Sequence, residues 1–395
     1  MKKVVITKAE VLSSLGKAMQ ALHANLPLDP PTATTVQDFE FHKFDSPVAC
    51  FKVKDVDPVE ILGKKGLRTK DWSTKLLLSA LEIGLKDLLD GAEEKSRPGI
   101  CVGTAFGSVD SIGNFLSESI VSGVNNVNPQ AFANTVINAC TSYANVRFVA
   151  RALSCTVATG FNASLDAMIY AHDHLQRGYL DWIVAGGLEE VSYYSLLGMQ
   201  RTGVLSSRGE SRPFCTGSDG FVAGEGCALF VLETEEHARA RGATPIAEIV
   251  GACSAFDPSD SGAASGESAR YAFEEACRVA QITPDRLGFV AASANGVPAL
   301  DEMEARLLTS LCPSVPVTAY KRYLGECYGA AAALSTACAL SDMENRRVTG
   351  VGAGCHARGK FNLVTTSLQG HNSEFAAVNA FSCDGNCGSI IFKRL

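Results

Sequence analysis

The side chains able to do chemistry in this chain are few, and the place that would use one best is a turn. Residues 152–175, ALSCTVATGFNASLDAMIYAHDHL, read as a strand, a tight turn and a helix. Leu153, Cys155 and Val157, with the β-branched Thr156 and Thr159, make a strand apolar enough to be buried on both faces, and Gly160 breaks it. Asn162 and Ser164 are candidate caps for a helix whose apolar stripe is Leu165, Met168, Ile169, His172 and Leu175, stopping at Gly178. A side chain at 161 then lies near the positive end of that helix, where a thiol would ionise readily and attack as a nucleophile. Residue 161 is Phe, which has no nucleophilic atom.

The other candidate groups carry less. His172 and His174 are two positions apart on a helix, so they point to different faces and do not chelate one metal together. Cys383 and Cys387 form a C-x3-C, with His356 elsewhere, but the second ligand pair of a structural zinc site is missing. The glycine-rich AGEG of 223–226 is not followed by GK[ST], which makes it a backbone turn and not a phosphate loop. Cys327 is next to Glu326, yet adjacent side chains point apart and no histidine is placed to assist it. No metal and no cofactor is expected.

Alternating strands and helices must hold these groups. The reading begins with a strand over 3–7, a helix with Leu12, Leu15, Met19 and Leu22 on one face, and a proline-rich surface loop over 25–35. A long helix over 72–89 stops at Gly91, and 99–103 is a short buried strand. The run WIVAGG at 182–187 has the continuous apolar character of a buried parallel strand. A polar, glycine-rich loop over 205–226 precedes a strand over 228–232. The chain then begins again, with strands over 246–251 and 288–292 and helices over 267–280, 301–311 and about 328–341.

With 395 residues, 46% of them hydrophobic, the chain can bury a large core, as two domains or one duplicated unit jointed near 240. A net charge of −7 with scattered Lys and Arg argues against a nucleic-acid partner. Fourteen cysteines, among them Cys101, Cys155, Cys227, Cys253, Cys277 and Cys338, fall in apolar segments at no framework spacing. They are expected to be small buried hydrophobes in a reducing cytoplasm, without disulfides. The N-terminus lacks the apolar core of a signal peptide, and no run reaches the ~18 apolar residues of a membrane span.

Several segments, in order and over most of the chain, resemble the β-ketoacyl synthase family of the thiolase-like fold. They are ATGF at 158–161, where the family has ATAC, GYLDWIVAGGLEE at 178–190, and SRPFCTGSDGFVAGEGCALFVLE at 211–233, close to RPFD and DGFVxGEG. GFVAASANGVPALDEMEA at 288–305, TAYKRYLGECYGAAA at 318–332 and NAFSCDGNCGSIIFK at 379–393 follow. The resemblance implies an α/β, thiolase-like, layered α/β/α/β/α fold built from two pseudo-duplicated halves, 1–240 and 241–395.

In catalytic members a cysteine thiolate takes the acyl chain, and two histidines polarise the malonyl thioester as it loses CO₂ and attacks. Matched residue by residue, the cysteine position is Phe161, the histidine of HGT is Ser293, and the histidine of GHxxGAA is Glu326. Ser293 can donate one hydrogen bond but cannot become a cation, and a carboxylate at 326 would repel an enolate. The GFGGTN turn is SCDGNC at 382–387. Lys321 and Glu304 stand where the family keeps a structural lysine and glutamate, and Asp219, Gly220, Phe221, Gly224 and Gly226 keep their places.

A retained frame around a lost centre resembles the chain-length factor, or ketosynthase β subunit, of type II polyketide systems, among which the aryl-polyene type is the reading adopted. Phe161 departs from the glutamine most of those subunits carry. The resemblance implies a cytoplasmic heterodimer with a catalytic ketosynthase, reached by an acyl carrier protein through the complex. It implies tunnel walls from Ile112, Phe115, Leu116 and Phe132, and a dimer strand carrying Leu153, Cys155, Val157 and Thr159. The alternatives are a condensing or hydrolytic acyl-thioester enzyme with a non-standard site, and a homodimeric acyl-binding module.

Overall fold

The computed structural model describes residues 2–26, 31–93, 97–258 and 265–395. Its frame is a mixed 11-stranded sheet whose seam is the antiparallel pair Val4–Ser13 and Ala247–Phe256. Outward from Val4–Ser13 come Gly226–Thr234 and Trp182–Glu189, both antiparallel to the strand before, then Gly99–Gly103 and Ser154–Val157, both parallel. Outward from Ala247–Phe256, the strands Asn386–Arg394, Phe375–Phe381, Phe289–Ala291 and Val317–Thr318 repeat that succession of senses.

The helices complete five layers. Helices Ala163–Gln176 and Ala331–Glu344 share the central apolar cluster with Ile6, Ile183 and Phe230 from one set of strands and Phe289, Val378 and Ile390 from the other. On the far side of the first set, helix residues Leu76, Leu77 and Phe148 pack on Ile100, Val184 and Leu229. Beyond the second set, Phe273 and Leu308, from helices Glu267–Val279 and Pro298–Leu311, pack on Val290, Ala377 and Ile391. The layered α/β/α/β/α architecture follows. Alternate residues of Trp182–Glu189 therefore meet different helical layers, which explains why that strand is apolar throughout.

Some expectations need correction. Leu12 is in the first strand, where it pairs with Cys227 and ends a ladder that runs well beyond residue 7, and Leu15 follows in a turn. The helix is only Ala18–Asn25, so Met19 and Leu22 alone of the expected face are helical. Within the expected loop over 25–35, residues 27–30 lie outside the described residues, and Thr34 already opens a strand, Thr34–Asp38, paired with Lys43–Phe51. The helix over 72–89 is present as Trp72–Ala80 and Lys86–Asp90, joined by a π-helical turn, Leu81–Leu85. That turn holds Gly84 against Glu10, where a Cβ would come 2.4 Å from Glu10 Oε2. Asn162 and Ser164 do not cap their helix. Asn162 Nδ2 donates to Ala380 O at 2.8 Å, and Ser164 Oγ accepts from Ala333 N at 3.1 Å.

The cysteines also differ from expectation. Cys215 and Cys355, 140 residues apart, form a disulfide that a sequence without framework spacing does not disclose. Most of the free cysteines are buried, but Cys155 and Cys253 are half-buried and Cys383 is exposed. Among the described residues, no helix is long and apolar enough to cross a membrane.

Candidate functional site

Four segments converge at the ends of the parallel strands: the turn at 160–162, the loop after Phe289–Ala291, residues 321–330, and the turn at 382–387. The first holds Phe161. Gly160 has φ +65°, a left-handed backbone that favours glycine, and a Cβ there would press on the Asp384 carboxylate. The Phe161 ring is half-buried and meets Tyr328 edge-on at 5.2 Å and Phe106 at 6.3 Å. Phe106 meets Tyr328 at 5.2 Å, and Phe221 lies 6.1 Å from it. Where a thiol would stand at the helix's positive end, there is an aromatic cluster.

Ser293 has both of its bonding capacities committed. Its Oγ donates to Phe381 O at 2.9 Å and accepts from Phe381 N at 2.8 Å, tying its loop to a neighbouring strand. Glu304 is fully buried and accepts from Ser293 N at 3.1 Å, Ala294 N at 2.8 Å and Asn379 Nδ2 at 2.9 Å. Burial pushes its carboxyl up to about 7 despite these donors. Asp301, pushed by burial to about 6, accepts from Phe214, Asn295 and Gly296 N and so shapes the next turn of the same loop.

At 326, the expected bare carboxylate is instead paired. Glu326 Oε2 accepts from Lys321 Nζ at 2.8 Å and from Asn295 Nδ2 at 2.8 Å, while Oε1 accepts from Tyr328 N at 3.0 Å. The ion pair is buried, with Glu326 wholly out of solvent. Lys321 neutralises the charge that would have repelled an enolate. The carboxylate still offers no donor to a developing oxyanion.

The DGFVAGEG segment positions this pair. Gly224 N donates to Glu326 O at 2.8 Å and Glu326 N to Val222 O at 2.8 Å. A Cβ on Gly224 would lie 2.2 Å from Leu324 O. Glu225 anchors the segment from below, accepting from Val53 N, Trp72 Nε1 and Val191 N. Asp219 takes the hydroxyls of Ser206 and Ser207.

Cys327 is not a substitute nucleophile. Cys327 is buried, its thiol donates to Leu324 O at 3.4 Å, and burial pushes it well above the ordinary thiol range. His172 is buried beside Asp173, while His174 Nδ1 bonds Tyr170 O, so the two rings serve different surroundings. Among the described residues, no three His, Cys, Asp or Glu side chains are arranged to hold a metal.

The tunnel candidates lie together on the surface. Helix Val109–Ser122 has no fully buried residue. Ile112 and Phe115 are half-buried, Leu116 is 54% exposed and Phe132 59% exposed, with the rings of Phe115 and Phe132 at 5.8 Å. Ile120 and Val121 on the same helix are more than four-fifths exposed. Nor is the expected dimer strand buried on both faces. Ser154–Val157 is the outermost strand on its side, and Leu153, Cys155 and Val157 are half-buried and Thr159 exposed.

Sequence reasoning missed Phe106, Asn295 and Tyr328, and it missed the Cys215–Cys355 bond. Tyr328 was the most findable. It is an aromatic two residues after Glu326, followed by small residues alone through Ala333, and its backbone adopts the left-handed region at φ +47°. Its hydroxyl is buried without a hydrogen-bond partner.

Comparison with known proteins agrees with this geometry. Residues 53–238 match the N-terminal domain of beta-ketoacyl synthase, and 246–351 its C-terminal domain. The chain is 28% identical to 3-oxoacyl-[acyl-carrier-protein] synthase 2 of Vibrio harveyi, over 100% of this chain and 99% of that one. It is 29% identical to a putative mitochondrial 3-oxoacyl-[acyl-carrier-protein] synthase of Schizosaccharomyces pombe, over 85% of each. Among solved structures, the ishigamide ketosynthase/chain length factor superposes with a TM-score of 0.91 at 22% identity, covering 100% of this chain and 99% of that one. A ketosynthase in complex with its chain length factor from Xenorhabdus doucetiae gives 0.86 at 19%, covering 100% and 98%. At such identities the structures speak for the fold, and the two domain matches speak for the family. The chain belongs to the beta-ketoacyl synthase family.

Proposed function

We propose that this chain is a non-catalytic ketosynthase-like subunit, a chain-length factor. It pairs with a catalytic β-ketoacyl synthase and walls part of its acyl tunnel during polyketide, polyene or fatty-acid-type chain elongation. The observation that carries the reading is the Phe161 ring, packed on Tyr328 and Phe106 at the turn where the family holds its sulfur. Neither Ser293 nor Glu326 offers a cationic donor in place of the histidines. The frame around them is intact, and that separation of scaffold from chemistry suits a subunit that shapes a cavity.

Two surfaces support pairing. Among the described residues, no strand lies beside the outer edge of Ser154–Val157, and open edges invite pairing. Leu116, Ile120, Val121, Val124, Phe132 and Val146 are apolar side chains left exposed, more than an isolated chain would favour. A ketosynthase partner, related by a two-fold axis, would cover both. An acyl carrier protein then delivers its chain to the complex. Bulky wall residues limit length by excluding volume, since a packed interior has no room for further methylenes.

Co-expression with a catalytic ketosynthase from the same source, followed by sizing, tests the pairing. A 1:1 complex is expected, and a persistent homodimer would favour the acyl-binding module instead. Incubating the chain alone with acyl and malonyl carrier proteins tests the chemistry. Covalent acylation or CO₂ release would overturn the non-catalytic reading.

A further inference from the structure

The outer helical layer over the second set of strands carries a cleft of about 540 Å³ that the centre described above does not use. Its floor is the face of helix Pro298–Leu311 that presents Ala305, Arg306 and Ser310, and its wall is the segment carrying Arg358 and Lys360. That wall is tied down at several points. The Cys215–Cys355 bond anchors one end, Thr216 N donates to His356 O at 2.9 Å, Arg358 N to Phe214 O at 2.9 Å, and Lys360 N to Thr309 Oγ1 at 3.2 Å. Between the two cations Gly359 has φ +118°, and a Cβ there would come 3.3 Å from Ala305 Cβ, so glycine lets the wall lie close on the helix.

Charge marks this cleft out. In a chain of net charge −7, it is lined by Arg306, Arg358 and Lys360 against one carboxylate, Glu302. Glu302 already pairs with Arg306 at 3.4 Å. Among the described residues, no carboxylate pairs with Arg358 or Lys360. Arg358 is half-buried, and its Nε donates to Cys215 O at 3.4 Å, while its terminal nitrogens meet no acceptor among the described residues. Ser310 Oγ accepts from Arg270 at 2.7 Å, which leaves the hydroxyl proton available to donate.

A guanidinium fork, an ammonium and a hydroxyl donor on one concave surface make the donor set of a phosphate, whose dianion carries three acceptor oxygens and answers both cations at once. The cleft is larger than one phosphate, and its volume falls in the range of roughly 300–1,000 Å³ in which small organic molecules bind. We propose that this cleft binds a phosphate-bearing small molecule, with Arg358, Lys360 and Ser310 on the phosphate and the organic group over Ala305 and the Arg306 stem. Through Leu308 the floor packs on Val290, Ala377 and Ile391, in the half of the sheet opposite Ser154–Val157. Binding there is therefore independent of the pairing proposed above and can be judged on the chain alone.

The test is titration calorimetry of the full chain in about 20 mM salt, where charge screening is weak, with inorganic phosphate, glucose 6-phosphate and ADP as probes. One site per chain is expected, at which at least one of the two esters binds more tightly than inorganic phosphate. Which ester is preferred identifies the organic group. Arg358→Ala and Lys360→Ala should each weaken that binding about 10-fold, the effect of losing a charge-assisted hydrogen bond. Arg358→Lys, which keeps the charge and loses the fork, should weaken it about 3-fold or more. Lys64→Ala, at an exposed lysine in the other half of the chain, should leave it unchanged.

No binding of any probe at about 5 mM overturns the proposal, since affinity weaker than that falls below about 3 kcal/mol. So does binding that the Arg358 and Lys360 variants leave unaltered, or that Lys64→Ala weakens equally. Binding of inorganic phosphate alone overturns the assignment of an organic ester. Should Arg358→Ala not fold for want of its tie to Cys215 O, Lys360→Ala decides, because its ammonium holds no other segment in place among the described residues.

Discussion

The buried pair of Lys321 and Glu326 allows a prediction to be worked through. Replacing Lys321 by Met leaves Glu326 with no countercharge in a place where it is wholly out of solvent, held only by Asn295 Nδ2 and Tyr328 N. Breaking a buried ion pair on one side costs about 3–5 kcal/mol, because the remaining charge keeps its desolvation penalty without its attraction. Replacing both partners, as Lys321→Met with Glu326→Leu, removes the charges together and should cost no more than about 1–2 kcal/mol, mainly through the unpaired amide of Asn295. The single Glu326→Leu change strands the ammonium and should resemble Lys321→Met. A double-mutant cycle on urea midpoints at constant slope should then give a coupling of about 4–9 kcal/mol, the summed cost of the two single changes less that of the double. Additive single effects, with the double variant the least stable of the three, would refute the reasoning that position 326 has exchanged a catalytic histidine for half of an ion pair.

Other expectations follow from the same geometry. Phe161→Cys should leave the chain alone unable to release CO₂ from malonyl carrier protein, since Ser293 and Glu326 remain. Turnover in that single variant would show that the flanking residues are not the barrier. Ile112→Ala, Phe115→Ala and Leu116→Ala, none at a fully buried site, should each shift stability by less than about 1 kcal/mol while lengthening the product of the assembled pair. Unchanged product length in all three would remove the tunnel assignment. Glu10, Glu189 and Glu304 have carboxyls raised to about 7 by burial, so the folded state holds protons that the unfolded state has released. Stability should therefore fall as pH rises from 4.5 through 7, and Glu10→Gln should shallow that slope in thermal melts, by on the order of 1–3 kcal/mol in total. A rise over that window would contradict the burial of these groups. Replacing Cys215 and Cys355 together by Ala should lower stability by about 2–4 kcal/mol, and a cross-linked peptide should be found in unreduced digests of the wild type only.

Much of this molecule was legible in the chain itself. Periodicity and glycine placement located the strand, turn and helix around residue 161, because a buried strand must be apolar and a turn this tight needs Gly160. Motif order carried the layered fold, since DGFVAGEG and GAAA hold glycines where backbone approaches backbone and side-chain size is restricted. Local reasoning failed at Leu12 and Leu15, where the long pairing with Cys227–Leu232 extended a strand into what three-to-four spacing read as a helix. It failed again at Asn162 and Ser164, whose side chains bond Ala380 and Ala333, partners more than 150 residues away.

The chain alone, then, determined which atoms are absent from the centre: no sulfur at 161 and no imidazole at 293 or 326, a fact of composition that no folding can change. Only the tertiary structure decided what those replacements do. It turned Ser293 into a backbone tie, gave Glu326 a lysine, set Phe161 edge-on against Tyr328, bonded Cys215 to Cys355, and left Cys155 on an outermost strand with Cys101 behind it. Each of these pairings joins segments that strands and helices bring together in space, and a distance between side chains is not written in the order of residues along a chain.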